Sequence, residues 1–171
     1  MTGETRRDGL LGLTYRQGIA LIALINALVA TYLHLWKIGK AGTLACGGGG
    51  GCAIVQFSSW SWVRLPWQDP SSLGVDVALI GAVGYTLVLC AALWGTRESL
   101  AQTTGPVLVL AALVYPAILF TIRLKYAEWV VLQTFCPWCF ISTVSITLLG
   151  VLVALEWRRV RTPARARAGV E

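Results

Sequence analysis

Charge is scarce in this chain. Only 13% of its 171 residues are Asp, Glu, Lys or Arg, 56% are hydrophobic, and there is a single histidine. So little charge excludes an ordinary soluble domain of this length, which needs a polar surface. The first apolar run lacks a convincing small-residue cleavage site, so it reads as a membrane helix rather than a secretory signal. No internal repeat is visible, and no stretch is left over for a separate soluble domain.

What is present is apolar sequence in four blocks, residues 18–36, 75–94, 105–122 and 137–157. At about 1.5 Å of rise per residue, each is long enough to cross roughly 30 Å of hydrocarbon. The expected fold is all-α, a bundle of four transmembrane helices. Residues 1–17 then form an N-terminal segment, 18–157 the membrane domain with a long loop over 37–74, and 158–171 a basic tail without fixed structure.

The formal net charge of +6 raises the question of nucleic acid, but the cations sort by topology instead. With the N-terminus in the cytoplasm, nine cations lie inside (Arg6, Arg7, Arg16, Arg97, Arg158, Arg159, Arg161, Arg165, Arg167) and five outside (Lys37, Lys40, Arg64, Arg123, Lys125). The positive-inside rule therefore predicts cytoplasmic termini, with the basic tail against anionic lipid and no nucleic-acid partner.

Four of the five cysteines form two close pairs, Cys46-Gly-Gly-Gly-Gly-Gly-Cys52 in the first loop and Cys136-Pro-Trp-Cys139 at the start of the last helix. The charge-derived topology places both pairs on the outer face, where disulfides persist. The loop between the first two helices also carries Phe57, Trp60, Trp62, Leu65 and Trp67. It reads as a partly helical cap seated at the membrane interface. Residues 123–133 read as a short polar and aromatic link, or an extension of the third helix.

In Cys136-Pro137-Trp138-Cys139, Cys136 is placed to cap the last helix, with Pro137 in a first turn that tolerates a missing N–H. The two thiols then share one face, and the helix N-terminus favours a thiolate. A redox pair is the leading reading; half of a zinc site, or two small buried side chains, are the alternatives. Five glycines between Cys46 and Cys52 allow a disulfide in whatever backbone shape it needs and suit a pair that swings between partners. A plain structural disulfide and a four-cysteine zinc site are its alternatives.

Cys90, inside the second helix, reads as packing, and His34 as an interfacial or hydrogen-bonded residue rather than a proton carrier. Asp76 reads either as a first-turn charge favoured by the helix dipole or as a polar group beside a pocket. Glu128 and Arg123 read as interfacial charges, with proton transfer the alternative.

The order of helix, loop cysteine pair, serine-containing stretch, two helices and a Cys-x-x-Cys opening the last helix resembles the vitamin K epoxide reductase family, in particular its bacterial homologues. The matching stretches are Cys46 and Cys52, Val55-Gln56-Phe57-Ser58-Ser59-Trp60, the run from Leu73 to Tyr85, and Phe135-Cys136-Pro137-Trp138-Cys139. The resemblance covers most of the chain. It implies a bundle around a quinone (menaquinone, ubiquinone or phylloquinone) in a bacterial plasma membrane, and no metal. Electrons would pass from a thioredoxin-like, DsbA-type protein to Cys46/Cys52, then to Cys136/Cys139, then to the quinone, supporting disulfide formation in exported proteins. Carried over by position, Cys46 would exchange with the partner, Cys52 with Cys136, and Cys139 would face the quinone. Ser58, Tyr85, Asp76 and Trp138 become pocket candidates. Many bacterial relatives carry a fused thioredoxin-like domain that this chain lacks, so a separate partner is expected. Thr143 stands where animal relatives have a tyrosine, and Asp76 where bacterial ones often have a less polar residue.

Competing readings are a DsbB-type oxidase, in which the order of the two pairs is reversed, and a non-catalytic membrane subunit or transporter whose cysteines only staple the cap.

Overall fold

The computed structural model describes residues 2–44, 46, 50–64, 66, 67, 69, 74–97, 100 and 103–168, with side chains from 15 to 161. Leu65, Leu73 and Gly47 to Gly49, and the side chains of Arg6, Arg7, Arg165 and Arg167, lie outside this description. The element order is α1 (Thr2–Lys37), α2 (Gly51–Phe57), a 3-10 turn (Ser59–Ser61), β1 (Trp62–Val63), β2 (Val75–Asp76), α3 (Val77–Trp94), α4 (Gly105–Tyr126), a π-helical turn (Ala127–Val131) and α5 (Pro137–Ala168). Four helical stretches are long and apolar enough to cross a membrane: Tyr15–Lys37, Val77–Trp94, Gly105–Val131 and Pro137–Arg161. The protein is an all-α membrane bundle.

The first apolar block is an integral wall of that bundle. Ala20, Ala23, Ala27 and Ala30 recur along one face of α1 and are buried. Such small residues let two backbones approach closely, and α3 is the neighbour α1 packs on most extensively. Ile19, Val88, Leu110, Val114, Leu149 and Val153 fill the centre. Leu21, Leu28, Val83, Leu119, Val144 and Val151 point outward, as side chains facing lipid do.

Element ends differ from the sequence expectation in three places. The third spanning block runs on beyond 122 through α4 and the π-helical turn to Val131, so the link is mostly helical. Residues 75 and 76 form a short strand rather than the first turn of a helix, and Asp76 is the N-cap of α3, with extended φ/ψ of −64° and 130°. The tail expected to be disordered continues as helix to Ala168; alanine and arginine are strong helix formers, and an existing helix propagates at one hydrogen bond per added residue.

Two buried polar clusters tie the helix ends. At the end holding the start of α1 and the close of α5, Arg16 Nε binds Glu156 Oε1 at 2.8 Å, and Arg159 Nη2 binds the same oxygen at 2.8 Å. Arg16 Nη1 also donates to the Gly95 carbonyl just past α3. At the opposite end the Asp76 carboxylate meets Lys37 Nζ at 2.8 Å and His34 Nδ1 at 2.7 Å, and accepts the Ala78 N–H at 3.2 Å. Lys37 Nζ also donates to Ser61 Oγ at 2.9 Å and lies 3.9 Å from the Trp62 ring centroid. Ser61 in turn donates to the Gln56 carbonyl at 2.6 Å. The pairing Trp62↔Asp76 in the two-stranded β1–β2 ribbon closes the same cluster. Among the described residues no buried side-chain nitrogen or oxygen is left without a partner.

Removing one member of a buried ion pair strands the other. Asp76→Ala leaves the Lys37 ammonium, whose side chain is 1% exposed, without its carboxylate. The expected loss is about 3–5 kcal/mol, measured by unfolding in detergent; wild-type stability would contradict the role given to Asp76.

Candidate active site

The cap and the helices enclose a cavity of about 350 Å³. Its roof is built from Val55, Gln56, Ser58, Trp60 and Ser61, which α2 and the 3-10 turn bring over the helix ends. Ala30 and Leu33 of α1, Ile80, Gly81, Tyr85 and Val88 of α3, and Leu113, Pro116, Ala117 and Phe120 of α4 form apolar walls. Trp138, Cys139, Ser142 and Ile146 complete the wall from α5. Tyr85 Oη and Ser142 Oγ are 2.9 Å apart inside this lining. A mostly apolar chamber with a few convergent hydroxyls is the kind of site that holds a flat, lipid-soluble ring carrying two carbonyl oxygens. The residues present therefore fit a quinone head group.

The expected pocket residues divide. Ser58, Tyr85 and Trp138 line the cavity, and Ser58 also donates its hydroxyl to the Val55 carbonyl at the end of α2. Trp138 stacks at a tilt against Tyr32, 6.5 Å between centroids. Asp76 does not line the cavity: both of its oxygens are engaged by Lys37, His34 and the α3 backbone. It holds the roof in place instead. Cys90 is a free thiol on the exposed side of α3 rather than a packed one, and His34 is hydrogen-bonded to Asp76.

Cys46 and Cys52 are joined as a disulfide, whereas Cys136 and Cys139 are free thiols. Gly50, at φ 65°, makes the left-handed turn that begins α2, a conformation glycine takes without steric cost. Cys52 and Cys136 are fully buried; Cys46 is partly exposed, and Cys139 opens on the cavity. The residues just before the two buried cysteines touch. A Cβ on Gly51 would collide with the Phe135 carbonyl oxygen and lie 2.9 Å from Thr134 Oγ1. Only a residue without a side chain allows the start of α2 to dock against the segment leading into α5, so the residues that precede Cys52 and Cys136 in the chain are in contact.

Cys136 immediately precedes α5, and its sulfur accepts the Cys139 N–H at 3.4 Å, in the manner of a helix N-cap. The hydrogen bond from the Cys139 thiol lowers the Cys136 pKa from 9.0 to about 7, against burial and the nearby Glu128 carboxylate, which raise it. Glu128 is the site residue that sequence reading placed at the interface. It is buried in the π-helical turn, lines the cavity, accepts the Cys136 N–H at 2.9 Å on Oε1 and pairs with Lys125 Nζ at 2.7 Å through Oε2. The spacing of Lys125 and Glu128 by three was a visible signal of an ion pair. Nothing in the sequence tied Glu128 to Cys136, or Tyr85 to Ser142. No group of three or more His, Cys, Asp or Glu gathers among the described residues to hold a metal.

The family model of the vitamin K epoxide reductase family matches residues 17–154. That is most of the chain, and the chain belongs to this family. It is accordingly a multi-pass membrane oxidoreductase of the class that couples thiol–disulfide chemistry to a quinone.

Two outcomes test this geometry. Gly51→Ala should separate the two pairs and slow thiol exchange between them by roughly tenfold or more, as misplacing reacting atoms by about an ångström does; exchange at the wild-type rate would contradict the close approach. In the reduced protein Cys136 is protonated below its pKa and reactive above it, so its alkylation rate should reach half its plateau near pH 7, as its pKa of about 7 requires. In Cys139→Ala the leading stabilising hydrogen bond is gone and the midpoint should rise; an unmoved midpoint would contradict the assignment.

Proposed function

We propose that this protein oxidises a separate thioredoxin-like, DsbA-type protein on the outer face of a bacterial plasma membrane and passes the electrons to a membrane quinone, so that exported proteins acquire disulfides. The observation that carries this reading is Cys139 in the wall of an apolar cavity at one end of four spanning helices, with Phe135, the neighbour of its partner Cys136, against the docked start of α2. The charge distribution supports cytoplasmic termini, and the termini and the cysteines lie at opposite ends of the bundle.

The burial of the four thiols supports a direction of travel. Cys46 is the more accessible sulfur of the loop disulfide, so a partner thiolate attacks it and releases Cys52. A second partner thiol resolves the mixed disulfide and leaves Cys46 and Cys52 reduced. Cys52 then attacks the Cys136 sulfur of an oxidised Cys136–Cys139 pair and releases Cys139. Cys46 closes on Cys52 and frees Cys136. The result is the arrangement in this structure, a loop disulfide with two free thiols on α5. A quinone in the cavity accepts two electrons and two protons. Cys139 presents the sulfur to the cavity, Cys136 closes the disulfide on it, and Tyr85 and Ser142 supply hydroxyls to orient a carbonyl oxygen.

The test is oxidation of a reduced thioredoxin-like protein by the purified protein with a menaquinone or ubiquinone analogue. Cys139→Ala should abolish quinone-dependent oxidation, and Cys46→Ala should abolish transfer from the partner while a pre-reduced Cys136/Cys139 pair still reduces the analogue. Intact activity in Cys139→Ala would overturn the reading.

A further inference from the structure

Two-electron reduction of a quinone consumes two protons, and a dithiol whose first thiol is ionised near neutral pH retains only one. The other proton has to enter a cavity whose walls are mostly apolar. Its titratable lining groups are Tyr85, Lys125, Glu128 and Cys139. Tyr85 is hydrogen-bonded to Ser142, and Cys139 is the redox sulfur. That leaves Lys125 and Glu128, which form one ion pair at 2.7 Å with side-chain exposures of 15% and 2%. Both line the cavity, and Lys125 is the more accessible of the two.

A structural role alone does not account for this pair. The Cys136 N–H needs only a neutral acceptor, and a main-chain carbonyl would serve. A buried carboxylate beside Cys136 opposes the thiolate that the chemistry requires. Glu128 is aimed by a π-helical turn, in which Leu132 donates to the Ala127 carbonyl at 2.8 Å and Thr134 to that of Glu128 at 3.2 Å. Such single wide turns recur at functional sites.

We infer that Glu128 carries protons into the cavity and that Lys125 connects it to outer water, an inference that rests on the quinone-reducing reading above. As the Cys136 thiolate closes on Cys139, one S–S bond forms, two electrons leave for the quinone, and the Cys139 proton is released. The Glu128 carboxylate takes that proton and gives it to a quinone oxygen. The Lys125 ammonium then gives a second proton to Glu128 for the other oxygen, and water reprotonates Lys125. The dithiol monoanion, one proton from water and the quinone become a disulfide and a quinol. The groups facing Glu128 are Lys125 on its own segment, Cys136 and Cys139 at the start of α5 and Tyr85 on α3; the roof contributes Gln56, Ser58 and Ser61, which do not titrate.

The test uses the reduced full-length protein in detergent and a single turnover with a soluble ubiquinone analogue. Alkylation of Cys136 is followed separately, without quinone. Glu128→Gln keeps an acceptor for the Cys136 N–H but cannot carry a proton. It should form quinol about 100-fold more slowly, and its Cys136 alkylation midpoint should move to lower pH. Lys125→Arg keeps the ion pair but does not release a proton. It should slow quinol formation by about tenfold or more with the alkylation midpoint unmoved. Wild-type quinol formation in Glu128→Gln overturns the inference. If that variant does not fold, a wild-type rate in Lys125→Arg overturns it. Wild-type protein that forms no quinol overturns the quinone-reducing reading itself.

Discussion

Asp76 brings three parts of the chain to one point, and the site depends on that meeting. Its carboxylate fixes the last turn of α1 through His34 and Lys37, begins α3 as its N-cap, and reaches the cap through Lys37 and Ser61. Away from water such a cluster is stable only when every charge and hydrogen-bonding group is matched, which makes it sensitive to displacement. The cap therefore has one seated position. Seated, it roofs the cavity with Gln56, Ser58, Trp60 and Ser61 and directs the start of α2 towards Phe135. The Arg16–Glu156 cluster anchors the far end of the bundle in the same way, so the helices between them stay in register while the lipid-facing surface remains apolar.

Within that frame the two cysteine pairs are unequal by construction. Cys46 and Cys52 are separated by five glycines, whereas Cys136 and Cys139 lie at a helix start where the Cys139 N–H holds the Cys136 sulfur. Burial grades from partly exposed Cys46, through fully buried Cys52 and Cys136, to Cys139 in the cavity wall. The proposed function needs one sulfur open to a protein partner and a different one open to a lipid-soluble oxidant, because the two reagents arrive from water and from hydrocarbon. In the relay proposed above, the two buried sulfurs, Cys52 and Cys136, would let thiol exchange bridge those phases without exposing a reactive thiolate to solvent.

Much of this was legible in the sequence. Four spans follow from hydropathy because helices are the structures that satisfy all their backbone groups within a bilayer. The two cysteine pairs stand out as local motifs, and Ser58, Tyr85 and Trp138, singled out by the family resemblance, line the cavity. Less legible was whatever depends on a partner distant in the chain. Asp76 pairs with residues 39 and 42 positions away, and no local pattern separates that role from a pocket role. Glu128 joins the site because a π-helical turn re-aims it, and helical periodicity does not foresee such a turn. Gly51 matters through a contact with Phe135, and in the sequence it is one of five consecutive glycines.

The account's central claim is that Cys52 and Cys136 are the sulfurs that exchange between the two pairs. The most direct measurement is mass spectrometry of alkylated, protease-digested Cys46→Ser/Cys139→Ser protein purified from membranes under non-reducing conditions. The account predicts a Cys52–Cys136 disulfide within single chains, joining the peptide from α2 to that from the start of α5. Free thiols at both positions after oxidation, or a disulfide to Cys90 instead, would contradict it.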